Sequence, residues 1–174
     1  NLQNVRVKYF LVKNSTFYEI NDVIRISNAY SNASADTSKF IIDHNTFYKT
    51  VYGNGLFLDV RAGTDTNGVA AAPKIYLTNN IISCYLDTSE ANNPKPFRSA
   101  TNNVKTLIFI ANNCFHDYTP DPAVLIYSWD NFTSTGQIIR QNNITLNPDF
   151  VNANITNSAD FTVTNTSLYT AGTY

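Results

Sequence analysis

The residues best suited to chemistry in this chain are a few cations, one aspartate and two aromatics that fall at matched places in short apolar segments. In Val23-Ile24-Arg25-Ile26, Leu56-Phe57-Leu58-Asp59-Val60 and Val124-Leu125-Ile126-Tyr127-Ser128-Trp129, apolar side chains alternate with Arg25, Asp59 and Tyr127. A blurred fourth segment, Phe97-Arg98-Ser99, offers Arg98 at the same place. Two places further on stand Ser27, Arg61, Ala100 and Trp129. A guanidinium grips a carboxylate through two parallel hydrogen bonds. Tyr and Trp rings present apolar faces with a polar edge, which suits a sugar ring. Arg25, Asp59, Arg98, Tyr127 and Trp129 therefore read as a glycan-binding face. The competing reading is a surface salt bridge between Arg25 and Asp59, worth under about 1 kcal/mol.

Composition narrows the classes. The chain has 174 residues, with 12 Lys+Arg against 13 Asp+Glu and a net charge of −1. That balance leaves no basic face for nucleic acid. Hydrophobic residues make up 43%, with 11 Phe and 11 Tyr, which argues against disorder. No apolar run approaches the roughly 20 residues that span a bilayer. The length suits one domain. There are 25 Asn and 20 Thr, residues that disfavour helix interiors and favour turns and pleated surfaces. The chain holds no Met and starts at Asn1, so it reads as a processed or excised piece. Two Cys are too few for a disulfide framework.

The elements that position the candidate residues emerge from a repeat. Phe10-Leu-Val-Lys-Asn-Ser-Thr-Phe17, Phe40-Ile-Ile-Asp-His-Asn-Thr-Phe47, Ile75-Tyr-Leu-Thr-Asn-Asn-Ile-Ile82 and Ile108-Phe-Ile-Ala-Asn-Asn-Cys-Phe115 superpose, and Gln137-Ile-Ile-Arg-Gln-Asn-Asn-Ile144 is a weaker fifth. Their last positions are separated by 30, 35, 33 and 29 residues. Val12, Ile42, Leu77, Ile110 and Ile139 form one apolar column, and Phe17, Phe47, Ile82, Phe115 and Ile144 another. Between them run Asn14, His44, Asn79, Asn112 and Gln141, then Ser15, Asn45, Asn80, Asn113 and Asn142. Such a repeat, with no helical period, predicts stacked strands about 4.8 Å apart whose equivalent amides bond along the stack. Adding the Arg25/Asp59/Tyr127 segments gives three strands per coil and about five coils. Insertions at Ser31 to Ser38, Ala62 to Pro73, Leu86 to Pro96 and Asn131 to Gly136 account for the uneven period.

The pattern apolar-x-Asn-Asn-x-Phe, followed by Gly55-Leu-Phe-Leu58, resembles the pectate-lyase-like right-handed β-helices. The ending, Asn147-Pro-Asp-Phe-Val151 with Asp160-Phe-Thr-Val163 and Ala171-Gly172, is similar to an uncharacterised C-terminal family of Bacteroidetes polysaccharide-utilisation surface proteins. It departs from that pattern at Thr166-Ser-Leu168, where the family has Ser-Pro-Ala. The resemblance implies an all-β, right-handed, single-stranded parallel β-helix with an asparagine ladder between its second and third sheets and a polysaccharide groove on the first. Residues 1–146 would form the coils and 147–174 a closing segment packed on them. Because Asn1 to Asn14 reads as a strand with no cap, further N-terminal coils of the same protein are expected to precede it, making this the C-terminal part of a longer solenoid. The expected setting is extracellular, cell-surface or periplasmic, in a bacterium.

The resemblance also implies chemistry. Related lyases take the sugar proton with Arg or Lys and hold Ca²⁺ with Asp clusters. Arg61 or Lys74 would be the base here, with Asp59 as a ligand. Ca²⁺ takes six to eight oxygens, yet Asp59 stands alone on its sheet, and Asp43, Asp65 and Asp87 fall on other segments. No two carboxylates stand at matched positions for glycoside hydrolysis. The expected function is polysaccharide binding or processing with no resident cofactor or metal. A lyase or hydrolase, Ca²⁺-dependent in the lyase case, and a structural solenoid or adhesin segment are the alternatives.

The remaining residues read as architecture. His44 belongs to the amide column, and His116 sits at a turn without an evident partner. Cys84 and Cys114 are three positions out of alignment, about 10 Å apart and too far for a bridge. Sequons at Asn14, Asn32, Asn131, Asn143, Asn154 and Asn165 are near the chance number for this composition. The second sheet's outer column reads Leu11, Ile41, Tyr76, Phe109 and Ile138, which a solvated sheet should not show. The tail from Phe150 to Tyr169 or the insertions are expected to cover it, a partner being the alternative.

Overall fold

The structure, a computed structural model, describes residues 2–3, 8–20, 23–27, 38–50, 58–61, 74–84, 97–99, 107–116, 129–130, 137–151 and 161–168. The first coil holds β1 (Leu2–Gln3), β2 (Tyr9–Lys13) and β3 (Thr16–Tyr18). Next come β4 (Ile24–Ser27), β5 (Lys39–Asp43), β6 (Thr46–Thr50), β7 (Leu58–Arg61), β8 (Lys74–Thr78) and β9 (Ile81–Cys84). The last are β10 (Phe97–Ser99), β11 (Leu107–Ala111), β12 (Cys114–His116), β13 (Trp129–Asp130) and β14 (Gln137–Gln141).

These strands build an all-β protein of parallel sheets. The first sheet has the order β1-β4-β7-β10-β13, the second β2-β5-β8-β11-β14 and the third β3-β6-β9-β12. Every strand pair within them is parallel. The chain thus visits the three sheets in rotation, an arrangement compatible with the expected parallel β-helix. Among the described residues no helix is long and apolar enough to cross a membrane.

Alternation along each strand makes the core. Phe40, Ile75 and Ile108 are each 0% exposed and stand in one register column. Ile42, Leu77 and Ile110 form the next buried column, and Phe47, Ile82 and Phe115 that of the third sheet. Burying each such side chain stabilises by roughly 1.5–3 kcal/mol. In the first coil the equivalent Phe10, Val12 and Phe17 are only half-buried, and Phe17 stacks on Phe47 with ring centroids 5.0 Å apart.

A sharp corner separates the second and third sheets. Asn14, His44, Asn79, Asn112 and Asn142 all take the left-handed conformation, at φ 53, 54, 55, 56 and 51°. An ordinary residue pays roughly 1–2 kcal/mol there, and among residues with a Cβ Asn is one of the few that visit it readily. The next residue turns inward and builds the ladder. Asn80 Oδ1 accepts from the Asn45 backbone N–H at 2.9 Å and from its Nδ2 at 3.0 Å. Asn113 Oδ1 does the same for Asn80, and Asn143 Oδ1 for Asn113. Each of these side-chain amides also donates to a carbonyl of the preceding coil: Asn45 to Val12, Asn80 to Ile42, Asn113 to Leu77 and Asn143 to Ile110.

The fifth coil corrects the sequence alignment by one residue. Ile108 pairs with Ile138 and Ile110 with Arg140. Arg140, not Ile139, therefore ends the Val12/Ile42/Leu77/Ile110 column, and Ile139, not Ile138, joins Leu11, Ile41, Tyr76 and Phe109. Asn143, not Asn142, is the ladder member, and Ile144 bridges to Cys114 instead of extending the Phe115 column. The ladder oxygen decides the register, because adjacent Ile138 and Ile139 satisfy the apolar pattern in either one.

The tail is also placed differently. Phe150 bridges Val163 in antiparallel fashion, and Val151 donates to Thr162 while Thr164 donates to Asp149. Phe150 and Phe161 meet the Tyr48 ring edge-on, at 5.4 and 5.5 Å, and Phe161 lies 6.3 Å from Tyr18. These rings cover the third sheet and not, as expected, the apolar stripe of the second. The other possible covers, the insertions, lie outside the described residues.

Candidate functional site

The first-sheet site is built by strand register. Ile24, Leu58, Phe97 and Trp129 share one column, in which Leu58 is 1% exposed. The next column along the strands is Arg25, Asp59, Arg98 and Asp130. The register thus brings Arg25, Asp59 and Arg98 together on adjacent strands, as expected. Arg61 pairs with Ser27 two positions on, also as expected. Arg25 is half-buried and already engaged with a neighbour.

Trp129 departs from the sequence reading. It pairs with Phe97 in the column of buried Leu58, where the Ser27/Arg61 column was expected. The run Val124 to Trp129 is too uniformly apolar for alternation to fix its phase. Tyr127 lies outside the described residues. Asp130, which the sequence reading passed over, takes the place assigned to Tyr127. The signal for it was a charged residue directly after an aromatic, as Arg98 follows Phe97.

The electrostatics of the column follow from its order. Neighbouring parallel strands lie about 4.8 Å apart, so Arg25, Asp59, Arg98 and Asp130 alternate in sign at that spacing. Residue types of opposite charge thereby follow one another from strand to strand in this register. The column neighbours of Asp59 are two guanidinium-bearing residues. Ca²⁺ takes six to eight oxygens, and the residue types flanking Asp59 in this register supply none, so the donor set does not fit that ion. Lys74 opens β8 on the second sheet, paired with Lys39 and Leu107. It is on a different sheet from Arg61, and residues 62–73 between them lie outside the described residues.

A second cluster stands where the second sheet meets the corner. Asp43 Oδ2 lies 3.2 Å from Lys13 Nζ and 2.8 Å from His44 Nδ1. Its Oδ1 accepts from Thr78 Oγ1 and Asn79 Nδ2, both at 2.8 Å. Partial burial pushes this carboxyl up, but the bonds from Asn79, His44, Thr78 and Lys13 outweigh it and hold it down at about 2. His44 occupies the left-handed corner column that the sequence assigned to it, with its ring on Asp43. Among the described residues, no group of three or more His, Cys, Asp or Glu side chains gathers as a metal site would require.

No family model, curated protein or solved structure matches the chain. The site is therefore read from its own residues.

Proposed function

We propose that the chain is a right-handed parallel β-helix that binds a polysaccharide along its first sheet, as part of an exported bacterial protein. Three parallel sheets visited in rotation support the solenoid, and right-handed crossovers are the rule for parallel strands. The asparagine bonds at one corner fit it as well. The observation that carries the function is the column of Arg25, Asp59 and Arg98 on successive strands. Interleaved charged donors and acceptors suit a chain of hydroxyl groups, each group meeting a fixed partner of the opposite kind. Arg61 beside Ser27 extends the same surface. Tyr127 is the remaining proposed ring platform, since Trp129 shares the register column of buried Leu58.

Affinity electrophoresis against a panel of plant, algal and host glycans tests this reading. Retardation by at least one glycan, relieved in Arg25→Ala/Arg98→Ala, is the expected result. Unchanged retardation in that variant overturns the first-sheet site.

One observation favours a structural segment instead. Asp130 completes an alternation in which each charge has an opposite neighbour. A double-mutant cycle on Arg25 and Asp59 that returns a stability coupling, in a chain no glycan retards, assigns the column to architecture. For the lyase alternative, with Arg61 or Lys74 as base, the check is unsaturated product in the near ultraviolet that Arg61→Ala abolishes.

A further inference from the structure

The outer face of the second sheet carries an arrangement that the first-sheet reading does not use. Three columns cross it. The central one is Leu11, Ile41, Tyr76, Phe109 and Ile139, apolar throughout. On one side stand Tyr9, Lys39, Lys74, Leu107 and Gln137, and on the other Lys13, Asp43, Thr78, Ala111 and Gln141. Leu11 is 47% exposed, and Ile41, Tyr76, Phe109 and Ile139 are half-buried. The Tyr76 and Phe109 rings sit 6.2 Å apart, inclined at 54°. The tail rings lie on Tyr18 and Tyr48 of the third sheet.

The two margins differ in charge. Asp43 is held by Lys13, His44, Thr78 and Asn79, so its charge is matched within its own cluster. Lys39 and Lys74 are direct neighbours on adjacent parallel strands, and no carboxylate shares their column. Like charges so placed repel and destabilise the sheet. An acidic ligand group between them would turn that repulsion into attraction. The aromatic strip beside them offers apolar faces for sugar rings. The face is neither a groove for an amphipathic helix nor a free strand edge for a peptide. Two copies placed face to face about an axis along the strands would bring like-charged lysine pairs together.

We propose that this face is a second carbohydrate surface, specific for a glycan bearing carboxylates. Its sugar rings lie on Tyr76 and Phe109, and its acid groups meet Lys39 and Lys74. The proposal stands on residues separate from the first-sheet site and survives that site's failure.

The test is calorimetric titration of the intact chain with oligogalacturonate, oligoalginate and hyaluronan fragments, each beside its carboxyl-reduced neutral form. At least one acidic fragment binds while its neutral form binds about ten-fold more weakly or not at all, a difference of about 1.4 kcal/mol. Lys39→Gln/Lys74→Gln removes that preference and flattens its salt dependence. Tyr76→Ser weakens both forms, with folding checked by circular dichroism, and Arg25→Ala/Arg98→Ala leaves the acidic preference intact. Loss of the preference in the arginine variant, with none in the lysine variant, overturns the proposal and returns acidic binding to the first sheet. No binding of any acidic fragment overturns it too, as does self-association in the ultracentrifuge that the Tyr76 variant abolishes.

Discussion

The side-chain oxygen of Asn113 accepts two hydrogen bonds from Asn80, one from its backbone N–H at 3.0 Å and one from its amide at 2.9 Å. The Asn113 amide passes the pattern on, donating to Leu77 at 2.8 Å and to Asn143 at 3.0 Å. Asn113 is 0% exposed, so no solvent can replace these bonds.

Asn113→Ala strands a buried N–H on Asn80 and a buried carbonyl on Leu77. Each orphaned group costs about 1–3 kcal/mol. The variant is expected to lose about 3 kcal/mol and roughly 10 °C in Tm by calorimetry. Asn143→Ala, at the half-buried end of the ladder, should lose well under half as much. Equal losses at the two positions would show that the ladder does not act through buried bonds.

Asp43 should matter less as the medium becomes acidic. Its folded carboxyl lies at about 2, below its ordinary 3.8. A lowered folded value contributes stability above the unfolded value and loses it as pH falls through the folded one. Urea titrations of wild type and Asp43→Asn should therefore differ fully above about pH 4 and converge toward pH 2. A gap that widens on acidification would reverse the sign and refute the assignment.

Cys114 should be inert while the protein is folded. Burial pushes its thiol up to about 11, and Sγ donates to the Leu146 carbonyl at 3.0 Å. The thiolate, which is the reactive form, is then scarce at neutral pH. Labelling by a disulfide reagent near pH 8 should track unfolding. Rapid labelling of the native chain would mean that this site opens readily.

Arg140 should limit association through the last strand of the second sheet. It sits at a core register position on β14, the outermost strand of that sheet among the described residues. An inward charge at an edge deters another strand from adding there. Arg140→Leu should shift the sedimentation profile toward dimers or larger species at high concentration. A strictly unchanged profile would assign Arg140 to packing alone.

The three-sheet plan was legible because Phe40, Ile75 and Ile108 recur at a fixed offset from Asn45, Asn80 and Asn113, and stacking needs that constancy. The Arg25/Asp59/Arg98 column was legible for the same reason, since each residue follows an apolar neighbour of the core column. The phase was lost where alternation fails. Ile138 and Ile139 fit both registers, and three successive amides at Gln141, Asn142 and Asn143 hide which one faces inward. Trp129 misled in the same way. The Asp43 cluster joins Lys13, Thr78 and Asn79 from three different strands or turns, so its partners become neighbours only once the register is known. The sheet on which the tail rests depended on ring contacts that no periodicity encodes.

The meeting of Phe161 with Tyr18 has a consequence for the order of events at the ribosome. Tyr18 leaves the ribosome 143 residues before Phe161. Every strand of the described sheets can pair as it emerges, because each needs only the coil made before it. The aromatic cover of Tyr18 cannot form until Phe161 has emerged. Tyr18 and Tyr48 on the outside of the third sheet therefore wait for these rings while the intervening strands are made, an interval in which a nascent chain needs protection from its neighbours.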